Sequence, residues 1–465
     1  MQNIWNKLIA WFNDRVLRRV LRNSTYLILS NLISVFLTIF ITRRLGVYNY
    51  GVLGLITSYV TNVNKLFSFR MNEVVVRYVG EAYVNQDHER TGALIKFAAV
   101  VESVTSVFAF IFMAATARLG AEIFLNNPEL AGLIMFYGIS IIGGLIMETA
   151  NGILRVINRY RSIALVSLVQ NVIVACIVFF ATTHNLGLMG ILSAYMIGKV
   201  LLGVVPVILC AMWLPKTIGK EWWKAPLSLI DDKKAILRFT VSTNISSTIN
   251  LLARDGELLW VGALLSPLYA GYYKTAMTVI NMVLTPINPL IDTSYPEMNR
   301  AIIQKKWRKI KRLLGKITAL SAVWTGAAFI GLLLLGKPLL FHEIKILGLS
   351  IQIFKEEFLP AYDIIMILMF GYGTANILFW NRTLLLTFSE ADYATTVSFY
   401  TMLAKLFMTV VFVPRGAYYI EAILLSAYLA VSVLIMTWRG LYDLRKAEKA
   451  APEPLPKPEP QREPA

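Results

Sequence analysis

The chain has 465 residues, of which 57% are hydrophobic and 16% are charged, and its mean hydropathy is +0.60. A soluble core cannot bury that much apolar surface, so the composition excludes a soluble globular protein and indicates a membrane protein. The formal net charge of +17 is therefore interpreted as a signal of topology and of contact with lipid head groups, and not of nucleic-acid binding.

The sequence carries no motif typical of an enzyme or of a bound metal or cofactor. A Walker-type phosphate loop is absent, so direct use of ATP is not expected. Both cysteines lie in apolar stretches and the three histidines are far apart, which fits neither a disulfide framework nor a zinc site. We expect a protein that is not an enzyme, with a polytopic transferase using one isolated carboxylate as an open alternative.

The first predicted element is an amphipathic helix over residues 1–22. Trp5, Leu8, Trp11 and Phe12 are interspersed with charged residues, whereas a cleavable signal peptide has a continuous apolar core. We expect this helix to lie on the cytoplasmic surface of the membrane.

About 12 apolar stretches follow, each long enough to cross roughly 30 Å of hydrocarbon as a helix. They cover residues 24–43, 50–69, 93–117, 130–151, 163–182, 187–213, 238–263, 268–294, 317–336, 360–386, 393–413 and 418–438. The pattern predicts an all-α polytopic membrane protein with six-helix bundles over 23–214 and 236–440, joined by a cytoplasmic linker over 215–235. Residues 441–465 are charged and Pro-rich and are predicted to form a disordered tail.

The two predicted bundles are related by an internal repeat. Leu45 and Gly51 recur 220 residues later as Leu265 and Gly271, whereas Tyr160 recurs 233 residues later as Tyr393. The second half therefore has about 13 extra residues, which we place within 342–358. Each half has an even number of spans, so the repeats are parallel, and such repeats hold a substrate path between them.

Basic residues lie mainly on one side of the predicted spans. They precede the first span and follow the fourth, sixth and eighth, where residues 305–312 carry six of them, while the loops after spans 5 and 7 carry none. The positive-inside rule makes this side cytoplasmic, so both termini are expected in the cytoplasm. The protein itself is expected in the cytoplasmic (inner) membrane.

The densest set of charges within a span is Arg254, Asp255 and Glu257 in span 7. Charges are costly in lipid, so they are expected to face protein or water. A spacing of three puts Arg254 and Glu257 on one helical face, where they could pair. Lys274 in span 8 is expected to approach this set across the short turn. The set forms either a cavity-lining cation with an acidic partner or a structural salt bridge.

Other charges lie singly within predicted spans. Lys65 in span 2 and Lys405 in span 11 lie deep, whereas Arg382 in span 10 lies near the cytoplasmic end and could extend to the interface. Glu148 and Asn151 in span 4 share a helical face and could bridge helices by hydrogen bonds. Two weaker candidates are Glu102 and Lys199.

Several motifs then resemble one known family. Residues 45–51 are similar to the Leu-Gly-x-x-x-Tyr-Gly pattern of polysaccharide transporters, and residues 77–87 resemble their first cytoplasmic loop. Residues 255–258, 271–273 and 295–296 resemble the start of their second half. The chain thus resembles an O-antigen-type flippase of the multidrug/oligosaccharidyl-lipid/polysaccharide exporter superfamily.

The resemblance implies a V-shaped pair of six-helix bundles that alternates between inward-open and outward-open forms. The implied substrate is an oligosaccharide linked through diphosphate to a polyprenyl lipid. The implied partners are membrane lipids and glycosyltransferases or a polymerase of the same pathway. Basic residues in a low-dielectric cavity can attract diphosphate. The candidates for substrate binding are Arg254, Lys274, Lys65, Arg382 and Lys405, and those for ion coupling or salt bridges are Asp255, Glu257 and Glu148.

Two alternatives remain at this point. A multidrug exporter of the same superfamily that moves cationic drugs would need a carboxylate-lined cavity, whereas the charges within these spans are mainly basic. A membrane scaffold of a polysaccharide synthesis complex would use the basic loops and the Pro-rich tail for docking.

Overall fold

The computed structural model describes residues 15–68, 70–230, 233–346, 349–388 and 390–450. The first half is a succession of helices joined by short turns. They are α1 (Arg15–Phe67), α2 (Met71–Val74), a π-helix (Val75–Val79), α3 (Gly80–Val84), α4 (His88–Leu125), a 3-10 helix (Pro128–Leu130), α5 (Ala131–Gly143), α6 (Met147–Val156), α7 (Tyr160–Thr183) and α8 (Gly187–Thr217).

The linker and the second half follow the same plan. Their elements are two 3-10 helices (Trp222–Lys224, Leu227–Leu229), α9 (Lys233–Asn250), a π-helix (Leu251–Asp255), α10 (Glu257–Leu264), α11 (Pro267–Leu284), a 3-10 helix (Thr285–Ile287), α12 (Asn288–Ile303), α13 (Trp307–Phe341), strands β1 (Ile344–Ile346) and β2 (Leu349–Ile351), a 3-10 helix (Glu356–Phe358), α14 (Ala361–Ile377), α15 (Asn381–Thr387), α16 (Ala391–Phe412), a 3-10 helix (Val413–Arg415) and α17 (Ile420–Ala450).

The all-α polytopic architecture predicted from the sequence is confirmed. Among the described residues, nine helical segments are long and apolar enough to cross a membrane. This count differs from the predicted 12 because spans 1 and 2 fall within one segment, Leu29–Phe67, and because spans 7 and 8 are not among the nine. Helix α1 breaks at Gly46, where φ is 72°, a positive value that glycine adopts readily because it has no side chain. This break lies at the predicted turn between spans 1 and 2.

A helix break occurs at equivalent places in the two halves. Predicted span 4 consists of α5 and α6, which are separated by the turn at 144–146, and predicted span 10 consists of α14 and α15, separated at 378–380. The two breaks are about 233 residues apart, which is the offset read from the repeat. A broken helix exposes backbone amides and carbonyls that lipid cannot satisfy, so both breaks must be supported by protein groups.

The two halves touch through the repeated glycines. A Cβ atom on Gly51 in α1 would overlap the carbonyl of Pro267, and one on Gly271 in α11 would overlap the carbonyl of Val47. Close backbone approach between small residues is how helices associate in membranes, where the hydrophobic effect is absent. Tyr50 also packs edge-on against Phe358, with ring centroids 6.3 Å apart. The glycine contacts join α1 and α11 on the predicted outer side, and the Tyr50 contact joins α1 to the 3-10 helix that ends at Phe358.

The 13 extra residues predicted within 342–358 coincide with a pair of strands that has no counterpart among the described residues of the first half. β1 and β2 form an antiparallel hairpin in which Ile344 pairs with Ile351 and Ile346 pairs with Leu349. The backbone amide of Phe354 then donates to the carbonyl of Leu340, 2.7 Å away, which ties the segment back to the end of α13.

Both termini differ from the prediction where the structure describes them. Residues 15–22, predicted as part of a separate surface helix, continue into α1, and residues 441–450, predicted as disordered tail, continue α17. At the C-terminal end, Arg439 pairs with Asp443 at 3.0 Å and Lys311 pairs with Glu448 at 2.5 Å, so charge pairs support the last helical turns. Residues 1–14 and 451–465 lie outside the described residues.

Candidate functional site

The π-helix Leu251–Asp255 places two charges of span 7 beside a cation from span 2. Lys65 Nζ lies 3.1 Å from Asp255 Oδ2, and Arg254 Nε lies 3.1 Å from Asp255 Oδ1. The Lys65 and Arg254 side chains are 45% and 46% exposed, so both reach accessible space between the two halves. π-turns are frequent at functional sites because the extra residue redirects side chains. One carboxylate here orients two cations and leaves a surplus of positive charge.

Further basic side chains surround this pair. Arg382 in α15 is exposed and lies within electrostatic range of Arg254 and Arg70, and Lys199 in α8 lies within range of Lys65. Within the described ranges, neither Arg382 nor Lys199 forms an ion pair. We call the whole set the cavity cluster; it comprises Lys65, Arg70, Lys199, Arg254, Arg382, Glu73 and Asp255.

The five cations of the cavity cluster outnumber its two carboxylates, so its net charge is positive. Glu73 pairs with Arg70 at 2.8 Å and Asp255 bridges Lys65 and Arg254, so each carboxylate already has a cationic partner. Away from bulk water, such charges act more strongly than on a surface, and guanidinium groups bind phosphate in a forked geometry. A surplus of positive charge attracts anions and repels cations.

Lys405, predicted to bind substrate, lies in a buried charge cluster of the second half. Its Nζ is 2.5 Å from Glu257 Oε2 and 2.7 Å from Glu421 Oε1, and Thr409 Oγ1 donates to Glu421 Oε2 at 2.8 Å. The three charged side chains are at most 4% exposed. In this conformation Lys405 is therefore screened from the accessible space of the cavity cluster. We call the three charged residues, Lys405, Glu257 and Glu421, the buried triad.

The pairing expected between Arg254 and Glu257 is not the one in the structure. Arg254 pairs with Asp255, and Glu257 pairs with Lys405. The spacing argument assumed an unbroken α-helix, but the helix changes to a π-turn and then breaks at Gly256 before α10 begins. That break turns Glu257 toward α16 and away from the cavity.

Lys274, expected to approach the Arg254 set, lies instead at the contact between the halves. Its Nζ is 4.4 Å from the centroid of the Tyr50 ring, and its side chain packs against Gly54. The Nζ atom is buried and, within the described part of the chain, has no hydrogen-bond partner. A cation–π contact is thus what stabilises this ammonium group in the present conformation.

Glu148 and Glu102 support the helix break of span 4. Both oxygens of the buried Glu102 carboxylate accept hydrogen bonds, from the backbone amides of Glu148 and Thr149, each at 2.8 Å. A carboxylate at a helix N-terminus satisfies exposed amides and complements the helix dipole. Glu148 Oε1 in turn accepts from Ser68 Oγ at 3.0 Å, so Glu148 is hydrogen-bonded to another segment of the chain.

Sequence reasoning missed Glu421, Arg70 and Tyr50 as members of these sites. Glu421 begins a strongly apolar span and was available as a partner for Lys405, since charged side chains within a span commonly pair with one another. Arg70 precedes a short helix in a predicted loop, and nothing in its local pattern points into the cavity.

Comparison with known proteins assigns the family. The model of the family described as polysaccharide biosynthesis protein matches residues 20–302, more than half of the chain. The chain belongs to this family. The inner membrane protein YghQ of Escherichia coli K12 is 25% identical over 368 residues, which cover 76% of this chain and 98% of that protein.

Solved structures with the same fold are transporters and a flippase. An inward-facing multidrug resistance MATE family transporter of the MOP superfamily matches with a TM-score of 0.68 at 12% identity, over 91% of this chain and 96% of its own. The lipid II flippase MurJ in an inward closed conformation matches with 0.67 at 13% identity, over 92% and 90%. An outward-facing MATE transporter gives 0.61 at 12% identity, over 93% and 96%. The protein is thus a multi-pass membrane protein with the MATE and MurJ fold.

Proposed function

We propose that the protein is a flippase that moves a polyprenyl-diphosphate-linked oligosaccharide across the cytoplasmic membrane by alternating access, for synthesis of a cell-surface polysaccharide. The observation that carries this proposal is the cavity cluster, in which Lys65, Arg254 and Arg382 present positive charge to accessible space between the halves. A diphosphate supplies the matching negative charge. Membership of the polysaccharide biosynthesis family supports the same substrate class.

The arrangement of the halves supports a resting form that is closed on the predicted outer side. The Gly51 and Gly271 contacts join the outer ends of the halves. Lys65 of the cavity cluster lies near the C-terminal end of α1, on the predicted cytoplasmic side. The stronger likeness to the inward-facing than to the outward-facing MATE structure agrees with this. The head group would load from the cytoplasm, and rocking of the halves would then expose it outside.

The buried triad is the candidate for coupling to an ion gradient. Two carboxylates and one ammonium group leave one surplus negative charge in a site that excludes water, and uncompensated buried charge is strongly unfavourable. Uptake of a proton by one carboxyl group would neutralise the surplus. Release of that proton in another conformation would link the site to transport.

The test is head-group translocation by purified protein reconstituted into vesicles. A lipid-linked oligosaccharide in the inner leaflet should become accessible to an impermeant glycosidase added outside, and Arg382→Glu should abolish this gain. Arg308→Glu, which makes the same charge change in the first turn of α13, should leave it intact. Efflux of a cationic dye without head-group translocation would identify a drug exporter instead, and the absence of both activities would favour a scaffold.

A further inference from the structure

Helices α9 and α16 form a groove on the membrane-facing surface of the second half. On α9 the groove is lined by Val241, Asn244, Ile245, Thr248 and Ile249, in the following π-helix by Leu252, and on α16 by Phe399 and Met402. These positions recur every three or four residues, so each helix contributes one continuous stripe. The groove has a volume of about 330 Å³, an order of magnitude more than the roughly 30 Å³ of one water molecule.

The rim and the floor of the groove are both mainly apolar. Val241, Ile245 and Phe399 at the rim are exposed, whereas Ile249 and Met402 at the floor are buried. Both helices begin on the predicted cytoplasmic side, so the groove occupies the cytoplasmic half of the bilayer. In a membrane, an open groove of this kind is filled by an apolar chain.

The groove adjoins a narrow throat, too tight to hold a water molecule in this conformation, whose lining includes Arg382 of the cavity cluster. Ile249 lines both, and the other residues of the throat are Asn250, Arg382, Thr395 and Ser398. The lining thus changes from apolar at the surface to polar and cationic inside. The hydroxyls of Thr395 and Ser398 donate to carbonyls of their own helix, at 3.1 and 2.9 Å, which leaves Arg382 as the charged donor of the throat.

We propose that this groove binds the first isoprenoid units of the substrate's polyprenyl tail while Arg382 binds the adjoining diphosphate. The groove and throat place an apolar surface next to a cation in the same order as the substrate places its tail next to its phosphates. The tail stays in the bilayer and only the head group enters the space between the halves. The inference rests on the proposed function and adds the site at which the lipid part is held during loading.

The proposal is tested with a photoreactive substrate analogue that carries a diazirine in its first isoprenoid units. Protein in vesicles is irradiated with the analogue, and labelled peptides are mapped by mass spectrometry. Labelling should concentrate on α9 and α16. Thr248→Trp, which fills the groove, should lower labelling strongly because the chain can no longer enter. Arg382→Ala, which removes the phosphate donor, should lower labelling about tenfold, as loss of a charge-assisted contact would.

The matched control uses a second apolar groove, between α7 and α8, which Val169, Leu201 and Val205 help to line. Val205→Trp fills that groove and should leave labelling of α9 and α16 unchanged. Thermal unfolding of each variant in detergent confirms that it is folded. Equal labelling of the two grooves, or labelling of α9 and α16 that survives Thr248→Trp, would overturn the proposal.

Two further results separate the groove from the function. A diazirine polyprenol without diphosphate should label α9 and α16 weakly and independently of Arg382; labelling as strong as that of the substrate analogue would show that the groove accepts any chain, contrary to the proposal. Labelling of the groove without translocation in vesicles would disprove the flippase function and leave the lipid site in place. Translocation in vesicles together with labelling outside α9 and α16 would disprove the lipid site and leave the flippase function in place.

Discussion

At the scale of single residues, Arg254 is the best-oriented cation of the cavity cluster. Asp255 holds its Nε at 3.1 Å, which leaves the terminal nitrogens of the guanidinium free to face a ligand. We expect Arg254→Ala to lower head-group translocation about 10- to 100-fold, since charge-assisted hydrogen bonds contribute roughly 1.5–3 kcal/mol. Arg254→Lys should fall between Ala and wild type because it keeps the charge and loses the fork.

The control for Arg254 concerns its acidic neighbour. If Arg254 serves only to neutralise Asp255, the paired variant Arg254→Ala, Asp255→Ala should recover both protein abundance and translocation, because it removes the acid together with the cation that neutralises it. A binding role predicts that the pair recovers abundance alone. The two roles are separated by measuring abundance and translocation on the same membranes.

The buried triad makes a second prediction at this scale. Glu257→Gln removes the surplus negative charge and leaves Lys405 paired with Glu421, so the variant should fold at wild-type abundance. Lys405→Met leaves two carboxylates without a cation and should destabilise the protein by about 3–5 kcal/mol, as removal of one buried partner does. Thermal unfolding in detergent measures both. A stable Lys405→Met protein would contradict this account of the cluster.

If the buried triad couples transport to a proton gradient, Glu257→Gln should also uncouple it. Translocation by that variant should no longer respond to an imposed pH difference across the vesicle, whereas wild type should. The same response in both proteins would restrict the triad to a structural role.

At the scale of elements, the break in span 4 depends on a carboxylate from another helix. Glu102 in α4 accepts two backbone amides of α6, so Glu102→Gln should lose charge complementarity and cost about 1–3 kcal/mol of stability. Glu122→Gln, on an exposed site of the same helix, is the control and should be neutral. Equal melting temperatures for the two variants would show that the cap contributes nothing.

Elements were easier to predict from the sequence than the contacts between charged groups. Apolar runs locate most helices, whereas the breaks at 144–146 and 378–380 were not predicted, although they lie about one repeat offset apart. The partner of Arg254 could not be predicted because periodicity assumes 3.6 residues per turn, and the π-turn ending at Asp255 violates that assumption. Likewise, the pairing of Lys405 with Glu257, 148 residues away, depends on tertiary packing that no local spacing encodes.

At the scale of the whole molecule, alternating access requires the α1 and α11 contact to open and close. Gly51→Val would push a side chain into the Pro267 carbonyl, so the outer ends could no longer meet and the outward-open form should be favoured. The Lys274 side chain, now buried between the halves beside Tyr50, would then become accessible from outside. Translocation should fall because the inward-facing form, which loads substrate, is depleted.

This shift can be measured with a cysteine at position 274 in a background that replaces Cys176 and Cys210 by alanine. Gly51→Val should raise the rate at which Lys274→Cys reacts with an impermeant thiol reagent added outside. Gly132→Val is the matched control, since a Cβ on Gly132 would meet no atom within 4 Å. Faster labelling only in the Gly51 variant would identify the repeated glycines as the contact that closes the outer side, whereas equal rates in the two variants would assign that closure to other residues.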